Sequence, residues 1–568
     1  MNRILGIDLG TTNSAAAFLD GEEPRIIPND RGNRITPSIV AFLSGNEVLV
    51  GEAAKNQAVI NIEKTVLSVK RHMGTDRTYT IDGVAYRPEQ VSSRILQKLK
   101  YDAENYLGEP VDQAVITVPA YFSENQRRAT QEAGKLAGFK VRRIINEPTA
   151  AALAYAYEIE RNSNILVYDL GGGTFDVTFL VKEGDHFAVK ASSGDNALGG
   201  VDFDDRLLDA VVKDFSRKSG MDLGKDRIIL QQLREQVEKA KIELSSRETA
   251  TVALPFAGGG SKPVHLSFTV TRKFFEELIR KDIERTVRLA LKTVEEAGAR
   301  PKDVQSLILA GGSSRIPLVR RLLASEFEVE PERKINPEEV VALGASVQAS
   351  ILSGEIGDIA LKDITPFPLG LEIEGERFFH IIEKNSPLPV QGSRIFTTVS
   401  DRQSSVEIHV LQGESQKAPE NTSLGRFLLS GIREGRRGEP RIKVDFTIDA
   451  DGLLEVKAKD VDTGVHQQVT VTAGFGGDDE DDSFKALADL KNRIQSLVLR
   501  IEDLSGRYSH NIDTGFRKEI HEVTSNAKRE LLKGNAKGLR ENGIALETIL
   551  AELQAISQID EELGFGQA

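Results

Sequence analysis

The sequence predicts a multidomain chain: an α/β unit, then a small antiparallel β domain, then a helical unit. Strand-like runs alternate with helical patterns to about residue 356, period-2 alternation follows from about Thr365, and apolar residues at a/d spacing begin at Leu487. The 568 residues, 40% of them hydrophobic, suffice for several cores. We predict an α/β domain at 1–356, a linker at 357–364, a β domain at 365–476 and a helical unit at 477–568.

Composition excludes several classes of function. The chain has no cysteine, which rules out disulfides, thiolate metal sites and cysteine nucleophiles. Its net charge of −13 argues against a nucleic-acid partner. The apolar run at the start is too short for a signal peptide, and no later stretch approaches the roughly 18 apolar residues of a membrane span. We therefore expect a cytoplasmic protein without a membrane partner.

Within the α/β unit, ILGIDL, AVITVP, NILVYDL and SLILAGG read as strands. A helix is predicted near Ile229–Ser246 from its apolar face. Another begins at Ser123, because Ser123 and Gln126 form an S-x-x-Q capping box, and ends near Gly138.

The later units are predicted from their spacing. Val406, Ile408 and Val410 alternate with polar residues, as the segments 442–448 and 454–458 also do, and Gly-containing turn signals separate the strands. After the acidic run Asp478–Asp482, which we interpret as a solvated linker favouring a helix start, apolar residues predict three helices. They cover 487–504, Phe516–Val523 and Leu546–Leu553.

Two glycine-containing turns indicate a phosphate site. The stretch around Asp8 reads strand, Asp-Leu-Gly, hydroxyl-bearing turn, strand, and the stretch around Asp169 repeats that order, so the first half looks like an internal duplication. Facing turns would offer backbone N–H groups and Thr hydroxyls to a polyphosphate. Asp8 and Asp169 would hold the hydration shell of Mg²⁺, which keeps several waters.

A third turn completes a nucleotide site. The strand 307–310 opens through Gly311 and Gly312 into a helix that we expect Ser313 to cap, forming a wall for the base or ribose. Alone, such a turn is as often purely structural as it is part of a binding site. Neither G-x-x-x-x-G-K-[ST] nor G-x-G-x-x-G occurs, which excludes P-loop and Rossmann sites. The remaining architecture is the duplicated ATPase fold of actin, sugar kinases and the 70-kilodalton heat-shock chaperones.

The chain closely resembles one of these families, the DnaK-type 70-kilodalton heat-shock chaperones, from residue 1 to about 475. The resemblance is carried by GIDLGTTNS, VITVPAYF, RIINEPTAAALAY, VYDLGGGTFDV, EKAKIELSS and HVLQGE. It implies an actin-like two-lobed ATPase, a β-sandwich that holds an extended peptide, and a helical lid. It also implies ATP, ADP and Mg²⁺ as cofactors, and unfolded polypeptide segments, a J-domain co-chaperone and a nucleotide exchange factor as partners.

Matched by residue, the resemblance implies phosphate loops at Gly10, Thr11, Thr12 and Asn13 and at Gly171, Gly172, Gly173 and Thr174. It implies adenosine contacts from Glu238, Lys241, Ser245, Gly311, Gly312, Ser313 and Arg315, Mg²⁺ ordered by Asp8 and Asp169, and catalysis by Lys70, Glu147, Asp169 and Thr174. Phosphoryl transfer needs mainly positioning and charge neutralisation, which such groups supply. Without the resemblance, Lys70 reads as a surface lysine and Glu147 as a strand-end residue before a helix-starting proline.

The resemblance extends to the peptide and coupling sites. Leu371, Phe396, Val399, Val406, Ile408 and Ile442 align with peptide-contacting positions, although alternation alone equally makes Ile442 a core residue. Burying a peptide Leu would contribute about 1.5–3 kcal/mol, which implies loose selectivity. Pro119, Arg127 and Asp363 match coupling positions, and Arg143, Asn146, Thr149 and Asp363 match a J-domain docking site.

Three departures from the family pattern indicate a divergent, specialised paralogue. The linker before Asp363 is Ile359–Lys362, where the family usually has an unbroken apolar run, which predicts weaker docking. Glu374 and Val399 stand where the family has residues arching over the peptide, which predicts a preference for basic flanks. The helical unit is short. A small-molecule kinase on the same fold and an actin-like filament former remain as alternatives, but both leave the β domain unexplained.

Overall fold

The computed structural model describes most of the chain up to residue 470 and parts of the C-terminal region. The described residues are 3–21, 23–43, 47–156, 159–160, 162–255, 257, 264–357, 359–464, 466–470, 490, 494, 497–498, 500–502, 504–506, 508, 511–533 and 536–562. Leu487, the acidic run Asp478–Asp482 and the predicted boundary at 476/477 lie outside them.

Residues 4–154 form a first α/β lobe, lobe I. Its strands are β1 (Ile4–Asp8), β2 (Asn13–Asp20), β3 (Glu23–Ile27), β4 (Thr36–Pro37), β5 (Val40–Phe42), β6 (Val48–Val50), β7 (Thr65–Val66), β8 (Tyr79–Ile81), β9 (Val84–Tyr86), β10 (Gln113–Val118) and β11 (Lys140–Asn146). Its helices are α1 (Glu52–Gln57), α2 (Pro88–Leu107), α3 (Glu124–Leu136) and α4 (Glu147–Ala154). The main sheet has the order β11-β10-β1-β2-β3, with β4 on β2, and β1, β10 and β11 run parallel.

Residues 162–353 form a second lobe, lobe II. Its strands are β12 (Asn162–Leu170), β13 (Phe175–Glu183), β14 (His186–Asp195), β15 (Thr249–Leu254), β16 (Leu266–Thr271) and β17 (Ser306–Ala310). Its helices are α5 (Gly200–Ser219), α6 (Arg227–Leu244), α7 (Arg272–Glu296), α8 (Pro317–Phe327) and α9 (Val340–Ser353). The main sheet runs β17-β12-β13-β14 and continues into a linker strand, β18 (Ala360–Lys362).

The two lobes repeat one pattern, as the internal duplication predicts. In each, a first strand pairs antiparallel with the next through a glycine-containing turn and parallel with a strand on its other side. The turn of lobe I follows Asp8, and the turn of lobe II follows Leu170. Both turns thus lie at corresponding positions of their sheets.

Helices α4 and α9 cross very closely between the lobes. A Cβ added to Gly344 of α9 would lie 1.6 Å from the carbonyl oxygen of Ala150 in α4, so only glycine fits. Around this crossing, small side chains of both helices pack with Val167 and Ile308 into a common core. The lobes are therefore joined by tightly packed backbone rather than by large side chains.

Local sequence signals explain two helices well. The Ser123 hydroxyl accepts a hydrogen bond from Gln126 N while the Gln126 side chain accepts one from Ser123 N, so the predicted capping box is confirmed. Helix α6 agrees with the prediction to within two residues at each end. Its buried face carries Leu233 and Val237.

The β domain consists of two four-stranded antiparallel sheets. Its strands are β19 (Leu369–Ile373), β20 (Arg377–Ile382), β21 (Val390–Phe396), β22 (Ser405–Gln412), β23 (Thr422–Ser430), β24 (Ile442–Ile448), β25 (Leu454–Asp460) and β26 (His466–Thr470). The sheet orders are β20-β19-β22-β23 and β21-β24-β25-β26. Alternate residues of both sheets, such as Val410 and Phe446, form the core between them.

The β domain lies against lobe I. Leu454 N donates to the Glu124 carboxylate (2.9 Å), Glu124 N donates to the Gln412 side chain (3.1 Å), and Asn125 donates to the Ser423 carbonyl (3.2 Å). A second contact reaches lobe II, where Lys384 Nζ lies 3.3 Å from a carboxylate oxygen of Glu296. The N-terminus of α3 is therefore the centre of the contact with the β domain.

Two described helices, α10 (Thr514–Lys533) and α11 (Ala536–Glu562), pack together near the C-terminal end. They contain the predicted segments Phe516–Val523 and Leu546–Leu553. The described residues Ile494, Val498 and Ile501, from the stretch predicted as the first helix, join the same buried cluster. No helix in the described ranges is long and apolar enough to cross a membrane.

Candidate nucleotide site and its connection to the β domain

A cavity of about 610 Å³ opens between the lobes where the glycine turns face each other. The structure brings nearly all of the predicted nucleotide residues to it: Asp8, Gly10, Thr11, Thr12, Asn13, Lys70, Glu147, Asp169, Gly171, Gly172, Thr174, Glu238, Lys241, Ser245, Gly311, Gly312, Ser313 and Arg315. Gly173 is the exception and does not line the cavity. Its backbone packs against the first loop, where an added Cβ would lie 2.5 Å from Thr11 Cγ2.

The two phosphate loops touch each other directly. A Cβ added to Gly172 would lie 2.4 Å from Thr12 Cγ2, so the loops can approach only because glycine stands there. Gly171 N donates to the Thr174 carbonyl (3.1 Å), which closes the second turn, and Gly10 N donates to the Ser14 hydroxyl (3.2 Å) in the first. The result is a pair of turns whose backbones face one cavity.

Lys70 and Glu147 form a buried ion pair in the cavity wall. Lys70 Nζ lies 2.5 Å from Glu147 Oε1, and the side chains are 3% and 8% exposed. Lys70 belongs to a 3-10 turn (Val69–His72), and Glu147 is the first residue of α4. The surface position that sequence alone favours for Lys70 is wrong, because a surface lysine would not be buried against a carboxylate.

Carboxylates outnumber cations in this part of the cavity. Burial and, to a smaller extent, the nearby Glu147 carboxylate together raise the pKa of Asp8 to about 7. Burial likewise raises the pKa of Asp169 well above its ordinary value, with Glu147, Asp176 and Asp8 adding to the effect. Such crowded buried carboxylates are stabilised by a cation. The residues therefore fit a divalent ion.

The opposite side of the cavity comes from lobe II. Lys241 Nζ donates to the Gly200 carbonyl (3.1 Å) and lies 2.6 Å from Asp204. Arg315 donates to Asn336 (2.5 Å), and Glu238 pairs with Lys55 of lobe I (2.7 Å). These contacts hold long polar side chains around a slot of the size and polarity that a nucleoside needs.

The predicted role of Ser313 as a helix cap is wrong. Residues Gly312–Arg315 form a 3-10 turn, and α8 begins at Pro317 after Ile316. The Ser313 hydroxyl instead donates to the Gly171 carbonyl (3.0 Å), which ties this turn to the second phosphate loop. This contact spans 142 residues of sequence, so no local pattern could indicate it.

Several lining residues had no sequence signal that singled them out. They are Ile242, Ser246, Ile316, Arg320, Pro337, Glu338 and Val341. Ile242 is 62% exposed although its helix buries other apolar residues. An isoleucine on the polar side of the predicted helix is the one feature of the sequence that could have indicated a binding surface there. Pro337 and Glu338 reach the cavity because the chain passes Gly311, whose N donates to the Pro337 carbonyl (2.9 Å).

Two of the three predicted coupling residues, Arg127 and Asp363, are joined through Asn146 in one hydrogen-bond network beside the linker. Arg127 donates to the Asn146 side chain (2.5 Å), and Asn146 donates to the Asp363 carboxylate (2.8 Å). Thr149 also donates to that carboxylate (3.3 Å). The third, Pro119, is buried directly after β10, and its carbonyl accepts from Phe122 N (3.1 Å).

The linker itself is a strand. Ala360, Leu361 and Lys362 pair in parallel with His186, Phe187 and Ala188 of β14, and Leu361 is half-buried. Thus the segment is docked in spite of Ala360 and Lys362. That the linker binds the α/β unit more weakly than an unbroken apolar linker would stays a prediction.

The residues matched to a J-domain site are engaged inside the chain. Asn146, Thr149 and Asp363 contact each other, and Arg143 pairs with Asp451 of the β domain (3.5 Å). Any partner at this surface would meet the junction of lobe I, linker and β domain together.

The predicted peptide residues do not share one environment. Leu371, Ile408 and Ile442 are buried in the β-domain core, with Ile442 fully enclosed. Phe396 and Val406 are partly buried against that core, while Val399 is 48% exposed. In this conformation Ile442 is therefore a core residue, as alternation alone allowed.

The carboxylate at Glu374 has a partner that the sequence did not indicate. Arg437 Nη2 lies 3.0 Å and 3.2 Å from its two oxygens, and both side chains are about 60% exposed. Asp401 accepts from Arg437 N (2.7 Å). The loop between β23 and β24 therefore contacts both the turn after β19, which carries Glu374, and the loop between β21 and β22, which carries Asp401.

The match to known families covers almost the whole chain. The family model described as Hsp70 protein matches residues 4–554, which includes both lobes, the β domain and most of the described helical region. Members of this family are ATPases and ATP-dependent chaperones that bind ATP or ADP with Mg²⁺, client polypeptides and co-chaperones. The resemblance deduced from the motifs is confirmed, and the chain belongs to the Hsp70 family.

Proposed function

We propose that this chain binds extended apolar segments of unfolded polypeptides and releases them when ATP binds, in a cycle closed by ATP hydrolysis. The observation that carries the proposal is the Asp363 network. A residue of the linker is held by Asn146 beside α4, the helix that begins with Glu147 of the cavity. A change at the phosphates therefore has a short physical route to the linker and β domain.

We assign hydrolysis to the residues around the phosphate loops. Lys70 neutralises charge on the transferred phosphate, Glu147 orients the attacking water, and Thr174 and the backbone of both loops hold the phosphates in line. Bound Mg²⁺ supplies charge neutralisation at the phosphate oxygens. Asp8 and Asp169 are the residues that would order it. No group of three or more acidic or histidine side chains among the described residues could ligate an ion directly, so these two would act through its waters.

The adenosine is assigned to the lobe II wall. Glu238, Lys241 and Ser245 lie on or just after α6, and the turn from Gly311 to Arg315 faces them across the cavity. Ile242 and Arg315 provide an apolar and a planar cationic surface for the base.

Peptide binding is assigned to the β domain after it separates from lobe I. Phe396, Val399 and Val406 would contact the peptide first, because they are already partly or largely exposed. Leu371, Ile408 and Ile442 would take part only if loops rearrange around the core. Backbone hydrogen bonds to an extended peptide would add affinity without sequence preference. We assign J-domain docking to the rim of the Arg143 and Asp363 junction.

The test is anisotropy of a labelled Leu-rich peptide with basic flanks, measured with ADP and with Mg²⁺-ATP. We expect binding in ADP and release at least about ten-fold faster in ATP, because coupling of 1–3 kcal/mol is typical. Asp363→Asn should abolish the difference, while the exposed neighbour Glu355→Gln should retain it. Equal release with both nucleotides in the unmodified protein would contradict the proposal.

A further inference from the structure

Next to the catalytic lysine, Arg71 crosses the cleft between the lobes. Its Nη2 lies 2.5 Å from Asp202 Oδ2, and its Nη1 lies 3.3 Å from Asp202 Oδ1. The guanidinium thus grips both oxygens of one carboxylate, the geometry that gives arginine pairs their specificity. The side chains are 21% and 28% exposed, which leaves the pair only partly open to water.

Both ends of this ion pair are attached to the phosphate site. Arg71 follows Lys70 in the 3-10 turn Val69–His72, so the two side chains are carried by one rigid element. Asp202 lies in the first turn of α5, and its Oδ2 also accepts from Gly199 N (2.7 Å). The pair therefore connects the lysine element of lobe I to the start of α5 in lobe II.

The start of α5 is in turn bonded to the second phosphate loop. Gly200 N donates to the Gly171 carbonyl (3.0 Å), and Val201 N donates to the Gly172 carbonyl (2.8 Å). Arg71 also packs directly on this loop, because a Cβ added to Gly173 would lie 2.8 Å from Arg71 Nε. That Nε is buried and makes no hydrogen bond to the described residues.

We propose that Arg71 and Asp202 are positioning residues that set the distance between Lys70 and the second phosphate loop when the cleft closes. The inference rests on the proposed ATPase function and assigns these two residues no contact with the reacting atoms. Opening the cleft for ADP release must break the pair. Its loss should therefore change both the rate of hydrolysis and the rate of ADP release. Hydrolysis should slow, because Lys70 is placed less accurately, and ADP should leave faster.

Two further ion pairs lack this connection to the phosphate loops. Arg227 and Glu63 also cross the cleft, with Nη1 and Oε1 3.3 Å apart, but their side chains are 74% and 84% exposed. Arg206 and Asp282 form a comparable pair within lobe II (2.7 Å) and do not cross the cleft. The Arg227–Glu63 pair is therefore the control for crossing the cleft, and the Arg206–Asp282 pair is the control for losing an Arg–Asp contact elsewhere.

The experiment measures single-turnover ATP hydrolysis and the dissociation rate of a fluorescent ADP analogue in the full chain. The variants are Arg71→Lys, Arg71→Gln, Asp202→Asn and the double variant Arg71→Gln/Asp202→Asn. Asp202→Asn retains an oxygen that can accept from Gly199 N, so it removes the charge with little effect on the helix start. Arg227→Gln and Arg206→Gln are the controls.

We expect hydrolysis to fall about ten-fold and ADP dissociation to rise in each Arg71→Gln and Asp202→Asn variant, the size typical of one charge-assisted contact. The double variant should be no worse than either single variant, since both remove the same interaction. Arg71→Lys should restore part of the rate, and the thermal midpoints should stay close together.

Three results would overturn the inference. One is unchanged hydrolysis and ADP release in both single variants. The second is additive losses in the double variant, and the third is an equal loss in Arg227→Gln. An unmodified chain without ATP hydrolysis would overturn the proposed function as well, which separates the two failures.

Discussion

At the scale of single residues, the Lys70–Glu147 pair combines a catalytic assignment with a structural cost. Both charges are nearly enclosed, so neither can be removed without leaving the other buried and unpaired. Removing one partner of a buried pair destabilises proteins by about 3–5 kcal/mol. Activity loss alone would therefore not identify the role of Lys70.

A double substitution separates the two effects. We predict that Lys70→Ala lowers single-turnover hydrolysis about 10²–10³-fold and lowers the free energy of unfolding. Adding Glu147→Gln should recover much of the stability, because the unpaired charge is gone, but none of the rate. Lys64→Ala, at a partly exposed lysine that pairs with Asp82 rather than with a cavity residue, is the control for both measurements. Recovery of hydrolysis in the double variant would refute the catalytic assignment.

Glu374 requires a change to the expectation drawn from the sequence. Because Arg437 lies beside it, much of its charge is already compensated, and a basic peptide must compete with that guanidinium. Exposed pairs contribute about 0–1 kcal/mol, so competition is possible.

We predict that Arg437→Ala increases the preference for basic flanking residues a few-fold on a peptide array, and that Glu374→Gln removes it. Arg436→Ala, in the neighbouring residue of the same loop, should leave the preference unchanged. If the preference is the same in all four proteins, Glu374 does not contribute to peptide selection.

At the scale of elements, the sequence predicts structure well where the signal is local. The reciprocal side-chain bonds of Ser123 and Gln126 fix the start of α3, and they involve residues three apart. The same reasoning failed for Ser313, whose hydroxyl donates to the Gly171 carbonyl in the distant second phosphate loop. For Ile442, alternation predicted a buried face correctly but could not say whether a peptide or the opposite sheet covers it. Resemblance, rather than periodicity, brought most of the cavity residues together.

The crossing of α4 and α9 depends on glycine in a way that periodicity cannot indicate. We predict that Gly344→Ala lowers the free energy of unfolding of the α/β lobes by about 1–3 kcal/mol or more, because the added Cβ would overlap Ala150. Chemical denaturation followed by nucleotide binding measures this. Gly506→Ala is the control, since Gly506 is helical and exposed, with no heavy atom of the described residues within 4 Å of an added Cβ, so alanine should be neutral or slightly stabilising there. Equal stability of the two variants would show that the crossing is loose.

At the scale of the whole molecule, a buried carboxylate lies where the β domain meets lobe I. Glu124 accepts from Leu454 N and pairs with Arg128 (2.6 Å), which itself donates to the Leu454 carbonyl. Burial raises the pKa of Glu124 to about 7, against the opposing effects of Arg128, the Leu454 N–H and Arg127. Burial also raises the pKa of Asp451, on the facing β-domain turn, to about 6. Separation of the domains would return these groups to water.

The sign of the resulting pH dependence follows from proton linkage. The docked form has the higher pKa, so between its value of about 7 and the ordinary value of 4.5 it binds a proton that the separated form lacks. Acidification therefore favours docking as the pH falls through 7, and the effect saturates below about 4.5. From Glu124 alone, the docking equilibrium should shift roughly ten-fold between pH 8 and pH 6.

We predict that the docked fraction in Mg²⁺-ATP rises as the pH falls from 8 to 6. Energy transfer between dyes on two introduced cysteines, one in lobe I and one in the β domain, measures it. The absence of native cysteine makes such labelling specific. Glu124→Gln keeps an oxygen for Leu454 N but cannot titrate, so it should lose most of the pH dependence and dock well even at pH 8. The carboxylates of the nucleotide cavity titrate equally in both proteins, and the comparison cancels their effect. If Glu124→Gln follows the same pH curve as the unmodified chain, then Glu124 stays ionised at the interface and other contacts control docking.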